Sequence, residues 1–122
     1  MSAVIIDGKA IGRSIEDDLS ERVTALRERG VTPSLAVVIA GEDPASHIYV
    51  RNKQRACERC GILSTRIDLP STATQDDILG IVADLNADDS VHGILVQSPA
   101  PEGVDELAVA GAIDPAKDVD GF

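Results

Sequence analysis

A three-layer α/β/α fold with a mostly parallel sheet is what this sequence predicts, and three observations carry that expectation. Short apolar or alternating runs recur between longer segments of helical periodicity, the order from which parallel sheets with helical crossovers are built. The runs at 34–39 and 92–97 are almost continuously apolar, as strands covered on both faces are. Hydrophobic residues make up 43% of the chain and aromatic residues only 2%, so the core falls to Val, Ile, Leu and Ala. At 122 residues the chain is one domain, large enough to bury a core.

Each element has its own signature. Residues 7–29 place Ile11, Ile15, Leu19, Val23 and Leu26 at helical spacing with charges between them, and Gly30 offers a stop. The run Ser34-Leu-Ala-Val-Val-Ile39 reads as a buried strand. A helix then starts at Asp43-Pro44, since proline is well suited to the first helical position, and runs to Cys60 before Gly61 ends it. Leu63, Thr65, Ile67 and Leu69 alternate with Ser64, Arg66 and Asp68, which predicts a second strand up to Pro70. Thr74 and Asp77 form a capping box with Asp in place of Glu, and Ile78, Ile81, Val82 and Leu85 are the buried stripe of the next helix. After the polar turn 86–90, His92-Gly-Ile-Leu-Val-Gln97 is a third strand, broken by Ser98-Pro-Ala-Pro101. A short helix over 104–113 leads to Asp114-Pro115 and the tail Lys117-Asp-Val-Asp-Gly-Phe122. The alternation implies right-handed crossovers.

Net charge is −10, with 21 Asp and Glu against 11 Lys and Arg. That balance argues against nucleic acid or an anionic membrane surface as a partner. No apolar run approaches the roughly 18 residues of a membrane span, and the first residues lack the basic and apolar regions of a signal peptide. A cytoplasmic location follows as the expectation. Cys57 and Cys60 form a C-x-x-C, but they fall late in their helix, where no helix N-terminus stabilises a thiolate, and no second Cys/His pair accompanies them. A structural role is expected for them, and no metal site.

The segment Gly41-Glu-Asp-Pro-Ala-Ser-His-Ile-Tyr49-Val-Arg-Asn-Lys53 is the most informative one. It sets a phenol and an amine four residues apart, on one helical face, in a helix that begins at the carboxyl end of a strand. In open α/β sheets that edge is where ligands bind. Lysine can exchange a proton in suitable surroundings, whereas arginine stays charged. Gln97 at the end of the third strand and the Asp118/Asp120 pair should reach the same edge, with Pro99 and Pro101 stiffening the loop between. Taken singly, each has a plainer reading: a solvated lysine, a polar strand end, a surface turn. Their joint placement is what points to a site. No G-x-G-x-x-G or Walker sequence occurs, so no dinucleotide site is expected within the chain.

At these residues the sequence resembles the methylenetetrahydrofolate dehydrogenase/cyclohydrolase family, the bifunctional folate enzymes of one-carbon metabolism. The resemblance rests on Gly41-Glu-Asp-Pro-Ala-Ser46, Tyr49-Val-Arg-Asn-Lys53, Gly93-Ile-Leu-Val-Gln97 and Asp114-Pro-Ala-Lys-Asp-Val-Asp-Gly-Phe122. It implies an amino-acid-dehydrogenase-like N-terminal domain over residues 1–122 that binds folate and carries catalysis. It further implies a tetrahydrofolate substrate, NADP held by a Rossmann domain absent from this chain, and a link to purine biosynthesis. A homodimer is the assembly it leaves open for the full-length enzyme. Tyr49 would lie against the pterin and p-aminobenzoyl groups, Lys53 would be the acid/base group, Gln97 would hydrogen-bond Lys53, and Asp120 would bind the pterin ring, with Pro99 in the folate wall. The family's loop usually reads Gln-Leu-Pro-Leu-Pro, whereas here Gln97-Ser98-Pro99-Ala100-Pro101 lacks two apolar side chains. The chain stops after Phe122 without a polar tail, as a cut would leave it. Two alternatives stand beside this reading. One is a non-catalytic folate-binding or interaction module of the same fold, and the other is the substrate domain of an amino-acid or shikimate dehydrogenase.

Overall fold

A computed structural model describes residues 2–121. Seven elements follow in the order α1 (Gly8–Glu28), β1 (Ser34–Ala40), α2 (Pro44–Cys60), β2 (Leu63–Leu69), α3 (Gln75–Ala87), β3 (Gly93–Val96) and α4 (Glu106–Ala112). The three strands are parallel in the order β2-β1-β3. The central strand, β1, is the most apolar of the three, because it alone pairs with another strand on both edges and is covered on both faces.

Alternate residues of β1 feed two separate cores. Ala36 and Val38 join Ile78, Val82 and Leu85 of α3 and Val109 of α4 on one face. Val37 and Ile39 meet Val50 of α2 on the other. Ile94 and Leu95 of β3 divide between the faces in the same way, the two-residue period of a strand dealing side chains to opposite layers. This is the α/β/α sandwich expected. Fully buried Ile39, Ile78, Ile94, Val37, Val38, Val50 and Val82 each contribute on the order of 1.5–3 kcal/mol by leaving water.

The helix ends form as their sequences require. The Asp43 side chain accepts from the Ala45 amide at the start of α2, with Pro44 in the first turn. Gly61 closes that helix at φ 80°, a left-handed position that glycine tolerates without strain. At α3 the capping box is complete: the Asp77 amide donates to Thr74 Oγ1, and the Thr74 amide to the Asp77 carboxylate.

Two expectations need correction, and one of the plainer alternatives falls away. The stripe assigned to α1 is buried only at Val23, and Ile11 and Ile15 are 50% and 54% exposed. The contacts that anchor α1 begin at Glu16, which takes two hydrogen bonds from Arg59, and continue to Arg27, which donates to the Gly61 carbonyl. The first two turns are exposed except at half-buried Gly12. Secondly, β3 and α4 are shorter than 92–97 and 104–113. The tail, finally, is not a free surface turn. The Ile94 amide donates to the Lys117 carbonyl at 2.8 Å, and Ile94 bridges Asp118 in parallel, so the tail runs along the outer edge of β3.

Candidate active site

The buried stripe of α2 runs Ser46, Val50, Lys53, Cys57, Cys60, at spacings of four and three, and every member except half-buried Lys53 is fully buried. An amine thus occupies a slot that helix packing ordinarily gives to an apolar side chain. Its Nζ donates to Gln97 Oε1 at 2.6 Å. Gln97 sits one residue past β3, yet its amide still donates to the Val38 carbonyl at 2.8 Å, so the ladder fixes its backbone. Its side-chain Nε2 donates to the Ser98 carbonyl at 3.0 Å. With one end of the amide donating there, the oxygen end faces Lys53.

The Ser98 carbonyl accepts a second bond, from the buried hydroxyl of Ser46, at 3.1 Å. The first turn of α2 is therefore tied to the loop that follows β3. The turn before α2 is held as well. Arg66 Nη2 donates to His47 Nδ1, which leaves His47 Nε2 to donate to the Gly41 carbonyl at 2.9 Å.

On the other side of Gln97 a cleft of about 160 Å³ opens between α3, α4 and the tail. Ile78, Val96, Val109 and Ile113 form its apolar floor, and Gln97, Glu106, Asp118 and Asp120 bring polar groups to it. Asp118 Oδ1 accepts from the Gly121 amide. An extended tail would have sent Asp118 and Asp120 to opposite sides; the chain bends at Val119–Asp120, and both residues line the cleft.

The tail is anchored by Lys117. Its ammonium donates to the carbonyls of Leu85, Asn86 and Asp88 at 3.0, 2.9 and 2.7 Å, placing a cation at the carbonyl end of α3, where the Leu85 and Asp88 carbonyls also accept from the Asp88 and Val91 amides. Asn86 adds a clamp, donating to the Ala112 carbonyl and accepting from the Asp114 amide.

The structure brings Lys53 and Gln97 into contact and puts Gln97, Asp118 and Asp120 on one cleft. Lys53 and Tyr49 are not among the residues lining that cleft, so the groups meet around Gln97 rather than inside one cavity. Tyr49 is 56% exposed one turn before Lys53. Pro99 is exposed and stands outside the lining, while its neighbours Ser98 and Ala100 form the wall. Phe122 lies outside the described residues. Ser46, Glu106 and Lys117 were given no role by the sequence reading, although Ser46 and Lys117 stand inside its motifs. Ser46 alone left a signal, the position four residues before Val50 on the inward stripe.

Cys57 and Cys60 are free and buried. Burial, and then the neighbouring Cys60 and Glu58, push the Cys57 thiol above its ordinary value, which suits a packing role. A pyrophosphate does not fit the helix N-termini at this edge. Asp43, Thr74 with Asp77, and Asp105 already cap α2, α3 and α4 with their own side chains, and three of those four caps are carboxylates.

Residues 6–120 match the model of the tetrahydrofolate dehydrogenase/cyclohydrolase catalytic domain. The chain is 52% identical over 122 residues to the bifunctional protein FolD of Halalkalibacterium halodurans, covering 100% of this chain and 44% of that protein. Among solved structures, the FolD methylenetetrahydrofolate dehydrogenase/cyclohydrolase of Campylobacter jejuni superposes with a TM-score of 0.94 at 44% identity, over 95% of this chain and 41% of the other. The Trypanosoma brucei dehydrogenase-cyclohydrolase, solved with NADP cofactor and inhibitor, gives 0.91 at 37% identity, over 98% and 41%. The chain thus spans less than half the length of the curated relatives it matches.

Proposed function

The chain belongs to the tetrahydrofolate dehydrogenase/cyclohydrolase family, and from that premise we propose that it is the folate-binding catalytic domain of a bifunctional enzyme. Such an enzyme oxidises 5,10-methylenetetrahydrofolate and hydrolyses the methenyl product to 10-formyltetrahydrofolate. The observation that carries the proposal is the Lys53–Gln97 hydrogen bond beside a cleft with an apolar floor and a carboxylate rim.

The pterin ring is flat, apolar on its faces, and presents an exocyclic amine beside a ring N–H. An apolar floor with Asp120 at its edge complements both features, since a carboxylate accepts two parallel N–H donors. Tyr49, exposed on the face that carries Lys53, offers its ring to the p-aminobenzoyl part of the substrate.

Hydrolysis of the methenyl cation needs a proton removed from water as its oxygen bonds to the methenyl carbon. It then needs a proton delivered to ring nitrogen as the carbon–nitrogen bond breaks and the carbinol becomes a formyl group. Lys53 can take the first proton as an amine and return one as an ammonium, with a net release of one proton to solvent. Gln97 holds the amine in place by its oxygen and has no proton of its own to exchange.

NADP is the electron acceptor of the oxidative step, and its site belongs outside residues 1–122, because the helix N-termini here are self-capped. Within this reading the protein works in the cytoplasm, on tetrahydrofolate derivatives rather than nucleic acid, with a homodimer as the assembly of the full-length enzyme. No helix among the described residues is long and apolar enough to cross a membrane.

The test follows binding and turnover separately. The 122-residue chain should bind a methenyltetrahydrofolate analogue, with the affinity falling in an Asp120→Ala variant, and should not bind NADP in a calorimetric titration. The enzyme carrying this domain should open the methenyl ring and lose that activity with Lys53→Met. Binding without any ring opening would favour a non-catalytic folate module, and no folate binding at all would overturn the assignment.

A further inference from the structure

Glu106, the first residue of α4, uses both carboxylate oxygens on the loop after β3. Ser98 Oγ donates to Oε2 at 3.0 Å and the Ala100 amide donates to Oε1 at 2.6 Å. Those two residues are the ones where the loop carries Ser and Ala in place of the bulky apolar pair of the Gln-Leu-Pro-Leu-Pro pattern. Small side chains leave the loop with little apolar packing of its own, so a charged acceptor holds it instead. The Ser98 carbonyl, fixed by that anchor and by Ser46 Oγ, is the acceptor that orients the Gln97 amide. The Gln97 oxygen is what Lys53 reaches.

We infer that Glu106 is a positioning residue which, through Ser98, keeps the Gln97 amide turned with its oxygen toward Lys53. The relay runs from carboxylate to loop, from loop carbonyl to amide nitrogen, and from amide oxygen to ammonium. Releasing the loop frees the Ser98 carbonyl to swing away. The Gln97 amide can then flip, and a flipped amide presents N–H to an ammonium that has only donors to offer. The inference rests on the reading of Lys53 and Gln97 as the working pair, but its geometry is observable without substrate.

The experiment uses nitrogen-15 spectra of the 122-residue chain, following the Lys53 ammonium and the Gln97 side-chain amide in the wild type, Glu106→Gln, Glu106→Ala and Ser98→Ala. In Glu106→Ala the Lys53 ammonium signal should broaden away, and the Gln97 amide protons should exchange with water about tenfold faster, while β1 and β3 amides stay unshifted. Glu106→Gln, which keeps one oxygen acceptor, should restore most of the wild-type spectrum, a rescue that loss of bulk packing would not show. Ser98→Ala removes one of the two loop bonds without touching α4 and should give an intermediate effect, which keeps the inference testable if Glu106→Ala fails to fold. Unchanged Lys53 and Gln97 signals in folded Glu106→Ala, or in Ser98→Ala, would overturn it. Titration of the wild type with a methenyltetrahydrofolate analogue separates the two ideas: a chain that shows the relay but binds no folate keeps the positioning role and loses the folate assignment.

Discussion

Lys53 Nζ and Gln97 Oε1 stand 2.6 Å apart, joining two residues 44 positions apart in sequence. One is on the inward stripe of α2 and the other at the end of β3, so the bond measures how well helix and sheet are registered at the carboxyl edge. It also leaves two of the three ammonium hydrogens for other partners, since one is committed to Gln97.

Lys53→Met should keep the packing of α2 and remove the proton carrier. Ring opening of methenyltetrahydrofolate by the enzyme should fall by about 10²–10⁴-fold, the usual contribution of a positioned acid/base group. Lys53→Arg should fail nearly as badly, because guanidinium does not give up its proton. The check is the loss of methenyl absorbance with time, and a near wild-type rate in either variant would remove Lys53 from the mechanism.

Asp120→Ala should weaken binding of a folate analogue by about 1.5–3 kcal/mol, the range for hydrogen bonds to a charged partner. The bend that brings Asp118 to the same cleft, and its bond to the Gly121 amide, change what is expected of Asp118→Ala. That variant should also lose affinity, partly by loosening the turn that presents Asp120. Fluorescence titration of both variants beside thermal melts tests this, and an unaffected Asp120→Ala would withdraw the pterin contact.

Gly93→Ala should disturb the tail from the opposite side. A Cβ at this position would stand 2.7 Å from Val119 Cγ1 and 3.2 Å from Leu35 Cδ1. Val119 lies between the two aspartates, so relieving the clash displaces them. A stability loss of about 1–3 kcal/mol, typical of overpacking, should accompany weaker folate binding. A melt and affinity equal to the wild type would show that the tail is not seated against β3.

Cys57 should react slowly with a thiol reagent in the native chain and at the ordinary rate after denaturation. Its folded pKa lies above the unfolded one, chiefly because burial disfavours the thiolate. The neutral thiol therefore contributes stability that is fully present below the ordinary thiol pKa and is lost as pH rises through the raised folded value. Denaturant melts across mildly to strongly alkaline pH should show that decline, and Cys57→Ala should flatten it. An equally steep decline in the variant would assign it to other groups.

Much of this protein was legible from its sequence because it rests on local rules. The caps at Asp43, Thr74 and Gly61 and the bounds of α2 and β2 follow from which residues satisfy helix ends and which alternate across a strand. The Tyr49/Lys53 face and its convergence with Gln97 at one edge followed from helical spacing and from where a parallel sheet gathers its carboxyl ends, while the Lys53–Gln97 hydrogen bond itself was implied by the family resemblance. What only the tertiary structure decided are contacts between segments with no shared periodicity. Lys117 could cap α3 only once the tail had been laid beside β3, and Glu106 could hold Ser98 and Ala100 only once α4 had packed over the first core. The exposure of Ile11 and Ile15 belongs to the same class, because a helical stripe states which residues can be buried together, while the neighbouring element that covers them, or leaves them open, is set by packing at a distance.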